Sequence, residues 1–339
     1  MKEYARIRAI EYVLPDGVLS NETLAADYPA WDVEKIFSKT GINTRRVVGA
    51  GECASDLAFK ACEKLFATEA IKKADVDFLV LCTQSPDYFL PATACVLQHR
   101  LGLSITCGAF DFNQGCSGFV YGLGIAKGLI ETGQAKNVLL VTAETYSKYI
   151  NPGDKSVRTL FGDAAAATLV SACEGEQEYL SRFNYGTDGA GAHNLIVPSG
   201  GARNFITDQS LLTDTVDDSG NVRNSSNLFM DGPSVFEFSM TRVPQLFDRL
   251  FDQALSVEKI DYFVLHQANK FMLDSLRRRL KIPADKFIAE YEHCGNTVSS
   301  TIPIALKAVQ EKGLLKDDTL MAALGFGVGY SWAGCIIKW

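Results

Sequence analysis

Three residues with side chains suited to nucleophilic catalysis lie far apart in the chain: Cys116, His266 and Asn296. Cys116 follows a short apolar run, 108–112, and opens an apolar helical pattern. A helix start presents unpaired backbone N–H groups and the positive end of the helix dipole, and both favour a thiolate over a thiol. We therefore predict a covalent nucleophile at Cys116, the alternative being a cysteine that only packs in the core.

The other two residues also lie at the ends of predicted elements. His266 ends the apolar strand 261–266, and Asn296 follows Gly295 in a turn that leads into another helix. In α/β proteins, ligands bind at strand ends. A thiol, an imidazole and an amide in such places favour one shared site over three separate structural residues.

The composition excludes several classes of protein. The chain of 339 residues is 47% hydrophobic, enough for about two core-bearing units. A net charge of −7 argues against generic binding to nucleic acid or anionic membranes. The sequence shows no apolar stretch of about 18 residues and no signal-peptide pattern. Its nine cysteines include no C-x-x-C pair, so we expect a cytoplasmic protein with no membrane span, metal site or disulfide framework.

The chain looks internally duplicated. The segments 74–84 and 258–267 each read as a strand preceded by Asp and followed by a helix. Cys116 and Asn296 then each lead a helix and a strand, the strands being 137–141 and 319–324. We predict an α/β fold of two similar halves, 1–175 with the cysteine and 176–339 with the histidine and the asparagine, each a mixed sheet covered by helices.

Two segments rich in small or polar residues interrupt this pattern. Residues 198–227 are dense in Gly, Ser, Asn and Asp, which predicts a surface excursion, the alternative being a lid or docking loop. Near the C-terminus, Gly325, Gly327 and Gly329 alternate between two predicted strands. Such glycines indicate either an ordinary turn or a backbone that approaches a ligand closely, and beside a nucleophile they suggest an oxyanion hole.

Five motifs occur together in one order along the chain. They are Asn-Gln-Gly-Cys-Ser-Gly at 113–118, Phe-Gly-Asp-Ala-Ala at 161–165, His-Gln-Ala-Asn at 266–269, Gly-Asn-Thr at 295–297 with Ile-Pro at 302–303, and Gly-Phe-Gly-Val-Gly-Tyr-Ser-Trp at 325–332. In order and spacing they resemble the 3-oxoacyl-acyl carrier protein synthase III (β-ketoacyl synthase III) family of the thiolase superfamily. The resemblance covers essentially the whole chain. It implies a thiolase-like fold with αβαβα layers, a homodimer, and catalysis by Cys116, His266 and Asn296.

The resemblance also implies a reaction. A thiolate at Cys116 takes an acyl group from a thioester, and a malonyl thioester then loses CO2 to form an enolate that attacks the held acyl group. His266 and Asn296 would donate hydrogen bonds to the enolate oxygen, and the backbone N–H groups of Cys116 and Val328 would form the oxyanion hole. No resident cofactor is implied, because acyl-coenzyme A or the phosphopantetheine of an acyl carrier protein delivers the substrate.

Further substrate contacts follow from the same resemblance. Phe236 corresponds to an aromatic residue near the active-site cysteine, and Asn269 to a residue of the pantetheine tunnel, with a helix-capping amide as the alternative. Leu90 stands in place of a Phe that narrows the acyl pocket from the second subunit. Because leucine is smaller, we expect a primer longer or bulkier than acetyl.

The residues that serve the coenzyme A nucleotide depart from the family. Lys35 and Lys39 stand where a Trp and an Arg are familiar, Lys155 replaces a further Arg, and Pro233 replaces a tunnel Asn. Lysine attracts phosphate but has no planar face to stack on adenine. We therefore expect weak recognition of free coenzyme A and a smaller loss for a carrier-protein donor.

An acidic carrier protein would need a basic surface on this acidic chain. The helix after His266 carries one, with Lys270, Arg277, Arg278 and Lys281. An ordinary solvated helix face is the alternative interpretation of these residues.

Decarboxylative condensation is the leading functional hypothesis, and a second is acyl transfer from Cys116 to an amine or hydroxyl without decarboxylation. The departures at the nucleotide site and the 198–227 excursion favour the second. His266 with Asn296 favours condensation, because transfer to oxygen or nitrogen needs a base but no amide for an enolate. Fatty-acid and polyketide pathways both suit the condensation product.

Overall fold

The computed structural model describes residues 2–28 and 31–339. The strands are β1 Lys2–Val13, β2 Gly17–Ser20, β3 Thr44–Val47, β4 Phe78–Cys82, β5 Gly108–Phe112, β6 Asn137–Glu144, β7 Ala164–Gly175, β8 Leu180–Thr187, β9 Leu195–Ile196, β10 Thr215–Val216, β11 Val222–Arg223, β12 Phe229–Met230, β13 Tyr262–Leu265, β14 Leu320–Gly327 and β15 Ser331–Lys338. The α-helices are α1 Asn21–Asp27, α2 Val33–Thr40, α3 Ala54–Phe66, α4 Thr93–Leu101, α5 Gly118–Glu131, α6 Lys155–Arg158, α7 Gly232–Leu250, α8 Lys270–Arg279 and α9 Thr301–Glu311.

Two mixed sheets repeat one topology. The first has the order β1-β7-β6-β4-β5, with β4 parallel to β5 and β6 and the remaining pairs antiparallel. The second has the order β13-β14-β15-β8, with β13 parallel to β14 and the others antiparallel. Phe287 forms a single parallel bridge to Phe263 on the free side of β13, where the first sheet has β5. The predicted internal duplication is therefore visible strand by strand, with one strand shortened to a bridge.

Helices cover both sheets and separate them. One apolar cluster joins α5 and α9 to the inner faces of both sheets, as Phe119, Leu140, Ile302 and Ala323 illustrate. Helices α3 and α4 pack on the outer face of the first sheet, and α7 and α8 on the outer face of the second. The layers run αβαβα, which confirms the predicted thiolase-like fold.

The local sequence explains why α5 lies so close to the first sheet. Strands β4 and β6 are almost continuously apolar because helices bury both of their faces. On α5, a β-carbon at Gly118 would overlap Cys82 Sγ, and one at Gly122 would overlap Leu140. The glycines therefore let the helix contact the strands directly, which fixes the position of Cys116, two residues before the helix.

The first sheet uses residues 2–175 and the second uses 180–338. The predicted boundary between residues 175 and 176 falls between these two ranges. No helix in the described part of the chain is long and apolar enough to cross a membrane.

The 198–227 excursion packs back onto the first half of the chain. Its short hairpin β10–β11 carries Arg223, which forms ion pairs with Asp154 at 2.9 Å and Asp217 at 2.6 Å. Nearer its start, Phe205 packs edge-on against Phe89 with ring centroids 6.3 Å apart. The excursion therefore lies on the surface, as predicted.

Candidate active site

Cys116 lies two residues before α5, at the interface between the two sheets. It is buried, and the glycines of β14 make room for it. A β-carbon at Gly327 would lie 2.8 Å from Cys116 Sγ, and one at Gly325 would lie 2.7 Å from the Cys116 carbonyl oxygen. The alternating glycines therefore let β14 approach Cys116 closely, and the close approach of this backbone to a ligand stays a prediction.

The thiol is not ionised by its place at the helix start. Burial raises the pKa of Cys116 to about 12, and the charge of Glu144 acts in the same direction. Hydrogen bonds from the backbone N–H groups of Val328 and Cys116 lower the pKa but do not outweigh burial. The expected thiolate is therefore a neutral thiol in the unliganded protein. An oxyanion hole needs two such donors beside the sulfur, directed at the oxygen of an acyl group bound to it.

His266 follows β13, and its backbone N–H donates to the Leu324 carbonyl at 2.8 Å. Its Nδ1 lies 2.8 Å from the Thr301 hydroxyl, which in turn lies 3.0 Å from the Val298 carbonyl. Burial lowers the pKa of His266 to about 3, so the imidazole is neutral. A neutral ring has one donor and one acceptor nitrogen. Nε2 is therefore an acceptor when the proton is on Nδ1 and a donor when the proton is on Nε2.

Asn296 is held in a tight turn by the 161–165 segment. Its N–H donates to the Leu160 carbonyl at 2.9 Å, and its own carbonyl accepts from Gly162 N–H at 3.0 Å. The side-chain Oδ1 accepts from Val298 N–H at 2.9 Å, and Nδ2 lies 3.4 Å from His266 Nε2. Because Oδ1 is occupied by the backbone, the amide orientation is fixed with its NH2 group toward the imidazole.

Val298 has an unusual backbone conformation, φ 55°, and is fully buried. A β-branched residue in the left-handed region costs about 1–2 kcal/mol. The conformation lets its N–H reach Asn296 Oδ1 while its carbonyl faces Thr301. The strained residue therefore orients the asparagine directly and the histidine through the threonine.

A buried carboxyl group ties this turn to the first sheet. Glu144, at the end of β6, accepts hydrogen bonds from Gln84 N–H at 3.0 Å, Ser85 Oγ at 3.1 Å and Ser299 Oγ at 2.9 Å. Burial raises the pKa of Glu144 to about 8, so the group is mostly protonated at neutral pH. Sequence reasoning missed Glu144, since nothing in an apolar strand marks its last residue as a link between halves.

The three predicted catalytic residues line one cavity of about 410 Å³. Phe236 and Asn269 line it as well. Asn269 also caps α8, its side chain accepting from Met272 N–H at 2.9 Å, which is the alternative interpretation of this residue, and its contact with pantetheine stays a prediction. Cys116, His266 and Asn296 come from three distant segments, and the duplicated fold brings them together as predicted.

A second cavity of about 390 Å³ adjoins the first across Leu160. Lys35, Lys39 and Lys155 line it, and Lys155 Nζ also donates to the Ser219 carbonyl at 3.2 Å. The basic residues predicted for the nucleotide therefore share one site.

Sequence reasoning missed Trp31, which lines the second cavity. Its ring stacks on Tyr28 at 4.6 Å between centroids. Trp31, four residues before Lys35, therefore supplies the planar face that lysine does not have. The available signal was a tryptophan one helical turn before that lysine.

The four predicted docking residues lie on α8 or just after it, and the start of this helix reaches the catalytic cavity. Phe271, in its first turn, is 59% exposed and lines the cavity. Its neighbour Lys270 is exposed and pairs with Asp274 at 2.6 Å. Near the other end of the helix, Arg278 and Lys281 are exposed, whereas Arg277 is half-buried and donates to the Ile282 carbonyl at 3.3 Å. Lys270 is therefore the one of the four that adjoins cavity-lining residues in the chain.

Leu90 is the one predicted substrate-binding residue that lines none of the three cavities around the site. It is 82% exposed, and its neighbour Phe89 is 77% exposed. Within one chain, Leu90 does not contact the catalytic residues.

Comparisons with known proteins agree with the geometry. Residues 110–189 match the family model 3-oxoacyl-[acyl-carrier-protein] synthase III, and residues 250–339 match the model of its C-terminal part. The β-ketoacyl-[acyl-carrier-protein] synthase III of Caldanaerobacter subterraneus subsp. tengcongensis is 36% identical over 327 residues, covering 96% of this chain and 95% of the relative.

Solved structures show the same likeness. A crystal structure of a 3-oxoacyl-(acyl-carrier-protein) synthase III is 54% identical, with a TM-score of 0.97 and coverage of 99% of this chain and 100% of the other. A 3-oxoacyl-(acyl-carrier protein) synthase from Burkholderia xenovorans LB400 is 36% identical, with a TM-score of 0.90 and coverage of 99% and 94%. The chain therefore belongs to the 3-oxoacyl-acyl carrier protein synthase III family of condensing enzymes.

Proposed function

We propose that Cys116 carries the acyl group during the condensation that defines this family. In the first step the thiol sulfur attacks the thioester carbonyl, and its proton passes through His266 Nε2 to the departing carrier thiol. The carbonyl oxygen is held by the N–H groups of Cys116 and Val328. The observation that carries the proposal is that Cys116, His266 and Asn296 line one cavity, where burial keeps the imidazole neutral.

In the second step a malonyl thioester occupies the same cavity. Its C–C bond to the carboxylate breaks, CO2 leaves, and the electron pair forms an enolate whose oxygen accepts from His266 Nε2–H and Asn296 Nδ2–H. The enolate carbon then attacks the acyl carbonyl, and Cys116 sulfur departs and regains a proton. Two neutral donors suit this step, because the negative charge on the enolate oxygen is lost when the enolate carbon attacks. A fixed cation is therefore not needed.

We propose that the donor arrives on a phosphopantetheine arm, with no resident cofactor. The exposed side chains of Lys270, Arg278 and Lys281, on α8 and just after it, supply the charge for an acidic carrier protein. The second cavity, with Trp31, Lys39 and Lys155, has both a planar face and cations for the nucleotide of coenzyme A. Trp31 therefore argues against the weak recognition of free coenzyme A that the lysines alone predict.

We further propose a cytoplasmic homodimer. Exposed apolar side chains project near the start of α4, namely Tyr88, Phe89 and Leu90. Contiguous apolar surface of this kind marks an interface. Docking two copies through it would bring Leu90 of the partner subunit toward the acyl group.

The test is an acylation and condensation assay read by intact-mass spectrometry. The protein is incubated with acyl donors on coenzyme A and on carrier protein, and malonyl-carrier protein is then added. A Cys116 adduct followed by a 3-oxoacyl-carrier product is expected, and Cys116→Ala should form neither. An adduct that persists with malonyl-carrier protein but transfers to an amine or hydroxyl would favour the acyltransferase instead.

A further inference from the structure

A smaller cavity lies beside the catalytic one, and we call it the side chamber. It measures about 260 Å³ and is lined by Gln84, Asn113, Tyr146, Tyr149, Leu195, Ile196, Val197, Leu228 and Val328. Leu195 lines the catalytic cavity as well. Cys116, Tyr146, Leu195 and Leu228 pack in one cluster, and Val328 packs against it. The side chamber therefore lies next to the Cys116 sulfur, where it adjoins a group bound to that sulfur.

One wall of the side chamber is polar. The Tyr146 hydroxyl donates to Gln84 Oε1 at 2.5 Å, and Gln84 Nε2 donates to Asn113 Oδ1 at 2.9 Å. The Tyr149 hydroxyl lies 3.3 Å from the Gln84 carbonyl oxygen. Tyr146 belongs to the same packed cluster as Cys116, so this wall begins next to the nucleophile.

The polar wall is only partly satisfied by its own hydrogen bonds. Each tyrosine oxygen keeps lone pairs after donating its proton, and each side-chain amide has two N–H donors. Gln84 Nε2 makes one hydrogen bond within the described part of the chain, and Asn113 Nδ2 makes none. The wall can therefore both accept from and donate to a bound group.

The chemistry of the lining limits which group fits. No residue lining the side chamber, all of which are described, carries a charge. A carboxylate would enter without a cation and lose its hydration, which is costly. A hydroxyl or ketone oxygen would exchange water for amide and phenol partners at little cost. The opposite wall is aliphatic and suits the carbon chain.

We propose that the side chamber selects an acyl primer that carries an uncharged oxygen function, a hydroxyl or a ketone, along its chain. The proposal rests on the acylation of Cys116 proposed above. A saturated chain of equal length would displace water from the phenols and amides but form no hydrogen bonds in place of the water's. The saturated chain therefore binds less well. The substrate class is thus an acyl thioester with a hydroxyl or ketone oxygen on its chain.

The test is a competition between matched donors. The protein receives equal amounts of pentanoyl and 4-oxopentanoyl thioesters, then of pentanoyl and 5-hydroxypentanoyl thioesters, each on coenzyme A and on carrier protein. Intact-mass spectrometry gives the ratio of the two Cys116 adducts at early times. We expect the better oxygenated donor to be preferred by about 3- to 10-fold, the worth of one hydrogen bond.

Two variants assign the preference to the chamber. Tyr146→Phe and Tyr149→Phe each remove one hydroxyl of the polar wall, and we expect at least one of them to reduce the ratio by about 3-fold or more. Tyr262→Phe removes a hydroxyl at the start of β13, outside the chamber, and should leave the ratio unchanged. Circular dichroism of each variant confirms that it is folded before the ratio is compared.

The outcomes separate the two proposals. Equal or preferred use of pentanoyl by the unaltered protein would overturn selection by the side chamber and leave Cys116 acylation standing. A preference that neither tyrosine variant reduces would also overturn it. Failure of every donor to form an adduct on either carrier would overturn acylation itself, and selection with it.

Discussion

His266 Nδ1 and the Thr301 hydroxyl lie 2.8 Å apart in the buried centre of the site. When the hydroxyl donates to the Val298 carbonyl, Nδ1 keeps the proton and Nε2 is a base. When the hydroxyl turns to donate to Nδ1, the proton moves to Nε2, which becomes a donor. The first step of the proposed reaction needs the base and the second needs the donor, so rotation of one hydroxyl lets a single histidine serve both.

Replacing Thr301 should therefore separate the two steps. Thr301→Val keeps the side-chain shape but removes the hydroxyl that can donate to Nδ1. Nδ1 then keeps its proton, and Nε2 remains a base. We expect acylation of Cys116 to be retained and decarboxylation of the malonyl thioester to fall by about 10- to 100-fold, measured as two single-turnover rates. Thr142→Val is the matched control, because its hydroxyl pairs with Ser300 at 2.8 Å and does not touch His266. Equal losses in both steps would contradict this role.

The low pKa of His266 predicts how the second step depends on pH. Because burial lowers this pKa to about 3, lowering the pH from 8 to 5 does not protonate the folded enzyme's imidazole. The rate of malonyl decarboxylation by pre-acylated enzyme should show no fall assignable to His266 in that range. A rate that drops with an apparent pKa near 6.5, removed by His266→Asn, would show that the imidazole titrates as it does in water.

The raised pKa of Cys116 predicts slow alkylation in the unliganded protein. Since the thiolate is the reactive form, the alkylation rate of Cys116 by iodoacetamide should rise about tenfold per pH unit to pH 10 or beyond. Peptide mass spectrometry follows Cys95 in the same sample, an exposed thiol that should react faster at neutral pH. A plateau for Cys116 below pH 8 would mean that the helix start ionises the thiol after all.

Glu144 should make stability depend on pH. Its folded pKa of about 8 lies above the ordinary 4.5, so the folded state binds the proton more tightly and stability is lost as pH rises from 4.5 to 8. Between these values the loss is about 1.4 kcal/mol per pH unit. Glu144→Gln removes this pH dependence. The unfolding free energy of the variant minus that of the unaltered protein should therefore rise with pH by about 1.4 kcal/mol per unit. Urea unfolding between pH 5 and pH 8 measures the difference, and a constant difference would contradict a buried neutral carboxyl.

The sequence predicts the parts of this molecule that repeat or carry motifs. The two halves could be predicted because the strands that contain Phe263 and Leu79 have the same sequence pattern. The catalytic residues could be predicted because each lies at the start or the end of an element. Burial is different. The pKa of Cys116 depends on how completely the two halves enclose it, which local sequence does not show, so the helix-start argument alone favoured the wrong ionisation state.

Contacts made by packing were also hidden. Trp31 lines the lysine cavity together with Lys155 and Ser156 of α6, and no pattern in the sequence predicts that they share it. Tyr146 and Gln84 meet across 62 positions of the chain to form the polar wall. Such pairs follow from tertiary packing, whereas motifs report residues whose chemistry is tied to a local turn.

The most direct test of the central claim is a single turnover of pre-acylated enzyme with malonyl-carrier protein, following CO2 release and the 3-oxoacyl product together. The comparison is with Asn296→Asp, which keeps the oxygen that accepts from Val298 N–H and removes the Nδ2 donor. The account predicts one CO2 per product in the unaltered protein, and in the variant an intact Cys116 adduct with CO2 release slower by about 100- to 1000-fold. Equal CO2 release by both proteins would contradict the assignment of Asn296 and His266 as the donors that stabilise the enolate.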